Sequence, residues 1–179
     1  KILERLAGYT SFAVSGDKAR DLRPTADIFE ARRRLAETSE AVQMLVTHAD
    51  LSIGGARDIR AAVDLAAHGG VLAPVDLLDV KSTLVAARNL AKRFERLGSQ
   101  YPHLTEIASR LPSPSGIVDA ISKAISERGD ILDDASPKLA TIRRELRITR
   151  DRLLTRLQRM VTDPKTTPML QDALVTQRD

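Results

Sequence analysis

Ser136-Pro137-Lys138-Leu139-Ala140-Thr141-Ile142-Arg143-Arg144-Glu145-Leu146-Arg147-Ile148-Thr149-Arg150-Asp151-Arg152-Leu153-Leu154-Thr155-Arg156-Leu157-Gln158-Arg159-Met160-Val161 is the stretch whose reading decides the fold. Ser before Pro is a helix start. The hydroxyl accepts from a first-turn amide, and proline at the first helical position gives up an N–H that has no intrahelical partner anyway. No Gly or Pro follows until Pro164. At 100° per residue, Leu139, Ile142, Leu146, Leu153, Leu157 and Met160 fall within a stripe about 60° wide. A core helix usually shows an apolar face of roughly 100° or more, so this narrow seam predicts a long helix that projects from its domain and packs against one neighbour.

Arginines flank the seam, with Arg143, Arg147 and Arg150 on one ridge and Arg152, Arg156 and Arg159 on the other. With Arg144 they make seven, against only Glu145 and Asp151 as acids between Leu139 and Val161. Such a surface attracts phosphate or pairs with acids on a partner helix, and the six ridge arginines are the candidate nucleic-acid contacts. The plainer reading is a solvated or paired coiled-coil flank, since arginine is a good helix former whose stem covers apolar surface.

Outward from this helix the chain reads as all-α. Aromatic residues are 3% of 179, with no Trp, so aliphatic side chains must fill the interior, and the β-branched and aromatic enrichment of a sheet protein is missing. Residues 1–22 suggest one or two short helices with irregularities at Gly8 and Gly16, and Pro24 interrupts them. Asp27, with Glu30 three positions on, predicts a capping box opening a helix to about Ala49. Its spacing puts Ile28, Ala31, Leu35, Val42, Leu45 and Ala49 on one face, which should be buried. Gly54-Gly55 then implies a helical hairpin into a short segment from Asp58 to His68, ended by Gly69-Gly70 through positive φ. Pro74 opens a helix to about Leu97, with Leu77, Val80, Leu84, Ala87, Ala91 and Phe94 in line. Further helices are expected at Tyr101 to Leu111 and Ile117 to Ser126, on either side of the loop Pro112-Ser113-Pro114-Ser115-Gly116. Leu174-Val175-Thr176 reads as the first strand of something further on. No fixed-period repeat is present.

Chemical motifs are sparse. There are no cysteines, which excludes disulfides, thiolate zinc sites and thiol catalysis within the chain and agrees with a reducing cytoplasm. The net charge of +4 permits a nucleic-acid partner without demanding one. No glycine-rich phosphate loop occurs, and no apolar run approaches a membrane span. His48, His68 and His103 lie on separate elements with no ligand spacing. Asp130, Asp133 and Asp134 suggest magnesium, but a helical magnesium enzyme needs a second facing cluster and none is present; charge beside a helix N-terminus is the simpler role. The chain is expected to hold no catalytic site, cofactor or metal of its own. A dimerising or adaptor coiled coil with no nucleic-acid role is the main alternative.

Several stretches in order resemble the second, recombination-associated branch of the bacterial MutS family, here called MutS-two. They are Leu3-Glu4-Arg5-Leu6, Leu22-Arg23-Pro24-Thr25, Ile53-Gly54-Gly55 into Asp58-Ile59-Arg60, Gly69-Gly70-Val71-Leu72, and Gly129-Asp130-Ile131-Leu132-Asp133-Asp134-Ala135-Ser136 followed by Leu139, Ile142-Arg143 and Leu146. Leu174 to Asp179 resembles the start of that family's clamp. The resemblance spans nearly all of the chain. It implies a helical core of antiparallel helices over 1–135, a long lever helix over 136–163 and the start of a clamp over 164–179. It also implies a full-length ATPase, using ATP and magnesium at sites outside this chain, in some members an endonuclease. The implied protein is a cytoplasmic homodimer acting on branched DNA in repair and in suppression of recombination, or on ribosomal RNA as a rescue factor. The Phe-x-Glu wedge of mismatch-reading MutS proteins is absent, since Phe12, Phe29 and Phe94 lack Glu two residues on, which fits a branch without mismatch reading.

Overall fold

A computed structural model describes residues 1–48, 54–112, 114–165 and 167–169. Among the described residues the chain is all-α, as the composition requires: eight α-helices, two short 3-10 turns and no strand. The helices are α1 (Ile2–Ala7), α2 (Ala13–Arg20), α3 (Ile28–Thr47), α4 (Arg60–Ala67), α5 (Pro74–Leu97), α6 (Pro102–Ala108), α7 (Ser115–Ala124) and α8 (Pro137–Thr162). The chain divides into two compact units, one Lys1–Asp130 and the other beginning at Ile131. The readings placed on Ala49, Ile53 and Leu174 to Asp179 lie outside the described residues.

In the first unit, α5 is the central element and runs over the span its proline and its apolar spacing predict. The Asp76 carboxylate reaches back to accept from the Ala73 amide at 3.0 Å, satisfying a donor ahead of the first turn. Against α5 lie α6 and α7, and α3 packs on α6. The central cluster is Met44, Phe94, Tyr101 and Ala108, with Leu90, Leu97, Leu104 and Leu111 packed around it. Tyr101, 1% exposed, is the most deeply buried large side chain. Val118, Ile121 and Ile125 are buried on and just after α7.

The structure corrects four sequence expectations. The α3 face carrying Ile28, Leu35, Val42 and Leu45 is bare, these side chains being 55–68% exposed. α3 turns its other side inward, with Met44 in the cluster and the Glu40 carboxylate on α6. Among the described residues α3 does not pair with α4 across Gly54-Gly55; its packing partner is α6. Asp27 does cap α3, accepting from the Phe29 amide at 2.9 Å, but Glu30 does not complete the box. Glu30 is drawn instead to Arg33 at 2.7 Å and Arg34 at 2.8 Å, and those guanidiniums hold its carboxyl below the usual range. Finally, Gly8 does end α1, whereas Gly16 sits inside α2. Gly16 answers to close approach rather than to a break, since a Cβ there would stand 3.1 Å from the Thr10 hydroxyl.

Gly69 and Gly70 divide the labour of ending α4. Gly69 has φ of 76°, a conformation L side chains rarely adopt, and a Cβ on Gly70 would stand 2.7 Å from Leu65 Cγ.

Candidate nucleic-acid interface

The second unit is built around α8, 26 residues long. The Ser136 hydroxyl accepts from the Leu139 amide at 3.1 Å and Pro137 occupies the first turn, as the sequence demands. At the far end the Asp163 amide donates to the Arg159 carbonyl, and Pro164 forbids continuation. No residue of α8 is buried. On the predicted seam Ile142 is 48% exposed, Leu146 64% and Leu153 56%, and the elements packed on the helix are the 3-10 turns at its two ends.

The two arginine ridges differ. Arg143 donates to Asp133 Oδ1 at 2.7 Å and to the Ile131 carbonyl at 2.8 Å, while Arg147 stands 3.6 Å from Asp133 Oδ2. The hydrogen bond from Arg143 is the main reason the Asp133 carboxyl lies below its ordinary range, with the Arg143 and Arg147 charges adding to it. These side chains are 41–68% exposed, so water screens the pairing and its chief effect is to orient the start of α8. Arg150 also has a partner. On the other ridge, Arg152, Arg156 and Arg159 line an open groove of about 640 Å³ with Ile148, Asp151 and Thr155. On the helical wheel Arg152, Arg156 and Arg159 lie roughly 100° from the seam. α8 therefore presents an apolar edge with a cationic flank beside it.

Most of the remaining candidates make ordinary contacts. Ser126 takes the Asp130 amide and faces its carboxylate at 3.3 Å, and Asp133 is committed to arginine. Among the described residues no group of three or more His, Asp or Glu side chains is arranged to hold a metal ion. His68 lies 2.8 Å from the Asp64 carbonyl at the end of α4, and His48 stands edge-on to Tyr101 with its Nε2 buried and unpartnered. His103 Nδ1 is 2.6 Å from Glu40 Oε1, and the same carboxylate accepts from the amides of His103 and Leu104 at the start of α6. Burial pushes the Glu40 carboxyl up, but those donors and the nearby ring outweigh it and hold it below its ordinary value. No local pattern announces this cap, because Glu40 lies 63 residues from its partner.

Fold and site together define an all-α chain, among the described residues, that carries a capped, solvent-facing, arginine-rich helix. Comparison with known proteins narrows the class. The whole chain is similar to the endonuclease MutS2 of Thermomicrobium roseum, 40% identical over 182 aligned residues, and to those of Symbiobacterium thermophilum and a Geobacillus species at 39% and 34%. It spans only 22–23% of the length of these curated relatives. No family model matches the chain. No described helix is long and apolar enough to cross a membrane.

Proposed function

We propose that this chain is the N-terminal core and lever segment of a MutS-like, DNA-binding ATPase of the MutS-two branch. In this reading residues 1–135 form the core, 136–163 the lever and 164–179 the start of a nucleic-acid clamp. Catalysis, ATP and magnesium belong to parts of the protein beyond this segment, and the whole acts in the cytoplasm as a homodimer on branched DNA in repair and the restraint of recombination. The observation that carries it is α8: 26 residues without a break, capped by Ser136 and bare along its length. A stiff rod of this kind moves its far end when its near end moves, which is what linking a nucleotide site to a distant clamp requires. The end-to-end likeness to proteins named endonuclease MutS2 supports the family reading.

Arg152, Arg156 and Arg159 are the leading phosphate-binding side chains in this account, because their face is open and, among the described residues, no carboxylate pairs with them. Arg143, Arg147 and Arg150 are secondary, being engaged within the segment. The test is the triple variant Arg152→Glu, Arg156→Glu, Arg159→Glu in the full-length protein, with binding to a branched DNA measured against salt. If the three side chains neutralise phosphates, affinity falls and the slope of log affinity on log salt shrinks by about 0.9 for each phosphate no longer neutralised. The bare seam also suits an adaptor coiled coil, for which the same variant alters assembly while leaving the salt dependence of DNA binding unchanged.

A further inference from the structure

We infer that the cavity between α5 and α6 is a binding site for a small monocarboxylate with an apolar body, a site that depends neither on α8 nor on the lever reading. The cavity measures about 340 Å³, at the small end of the range that ligand pockets occupy. Ala91 and Phe94 of α5 and Ala108 of α6 line it together with Leu111, so most of its wall is apolar. Arg88 and Lys92, one turn apart on α5, add two positive charges to the same wall. Among the described residues neither takes part in an ion pair or a side-chain hydrogen bond, and the Arg88 Nε–H is shut off from water with no acceptor. Buried donors are nearly always paired, so a guanidinium with both its charge and this donor unanswered, facing an apolar cavity, is suited to an oxyanion.

Donor supply narrows the oxyanion to a carboxylate. The Thr105 hydroxyl donates to the Tyr101 carbonyl at 2.8 Å and the Ser109 hydroxyl to the Glu106 carbonyl at 2.7 Å, so both keep lone pairs rather than protons for a ligand. Among the described lining residues the side-chain donors on offer are therefore Arg88 and Lys92, too few for the three outer oxygens of a phosphate group. Glu95, on the same cavity, repels a second negative charge. A monocarboxylate needs less. Its two oxygens meet the Nε–H and a terminal N–H of one guanidinium side by side once that group turns into the cavity, and Lys92, at the exposed edge, adds a second charge. The apolar wall then covers the rest of the molecule, a ring or a branched chain.

The test uses the full-length protein with para-fluorobenzoate as probe, followed by fluorine NMR, and runs neutral para-fluorobenzamide and inorganic phosphate beside it. The inference expects the benzoate to bind in the millimolar range or tighter, the benzamide at least tenfold more weakly, and phosphate at equal concentration to leave the benzoate in place. Arg88→Met keeps most of the apolar stem and should weaken the benzoate at least tenfold, with the urea midpoint reporting that the variant is folded. Should Arg88→Met fail to fold, Lys92→Glu carries the test, since Lys92 is exposed and reversing its charge must also weaken the benzoate. Absence of benzoate binding at about 10 mM overturns the inference. So does equal binding of the benzamide, displacement by phosphate, or an affinity untouched by both substitutions.

Discussion

At the scale of single residues, Glu40 ties α3 to the start of α6. It is 13% exposed, accepts from two backbone amides of α6 and faces the His103 ring, so removing it leaves half-buried donors unmet. Glu40→Ala should lower stability by about 1–3 kcal/mol in urea unfolding. The sign with pH follows from the lowered folded-state carboxyl. Its contribution is complete above the unfolded value near 4.5 and is lost as pH falls through the lower folded value. Unfolding curves at pH 7 and in the acid range should therefore converge more closely for Glu40→Gln than for the parent, and equal acid sensitivity in both would exclude the cap as a cause. Asp133→Asn tests the opposite kind of residue. Its pairing with Arg143 and Arg147 is solvent-screened, so the melting temperature should barely move. If the first arginine ridge also reaches nucleic acid, releasing it should strengthen binding at low salt, and a gain that persisted at high salt would argue against phosphate contact.

At the scale of elements, what the sequence carries locally is what it predicts well. Pro74, Gly98 and the apolar spacing between them give α5 end to end, and Ser136-Pro137 with Pro164 gives α8 to within a residue. These signals are backbone chemistry and do not depend on what packs nearby. The start of α3 is equally plain at Asp27, but which face turns inward is not. Periodicity announces an apolar face without saying what packs on it, and here α3 packs through Met44 and Glu40 instead. The Arg143 to Asp133 pairing spans ten residues and is within reach of the pattern, whereas Glu40 to His103 needs the fold. Ser136→Ala should cost about 1 kcal/mol through loss of the first-turn acceptor, visible as faster amide exchange at Leu139 with the middle of α8 unchanged. Loss of protection along the whole helix would mean that its stability is set at the cap alone.

At the scale of the whole molecule, the described residues bury little: nine apolar side chains, all in the first unit. That is a small core for the described residues, and α8 adds nothing to it. The proposed mechanism needs α8 to stay rigid while both of its ends are engaged. The most direct test is a flexible break, Gly-Gly-Ser inserted after Thr149 in the full-length protein, with ATP-dependent release of branched DNA as the readout and ATP hydrolysis measured alongside. The lever account predicts that hydrolysis continues while release no longer follows nucleotide; release that still tracks ATP as in the parent would contradict it.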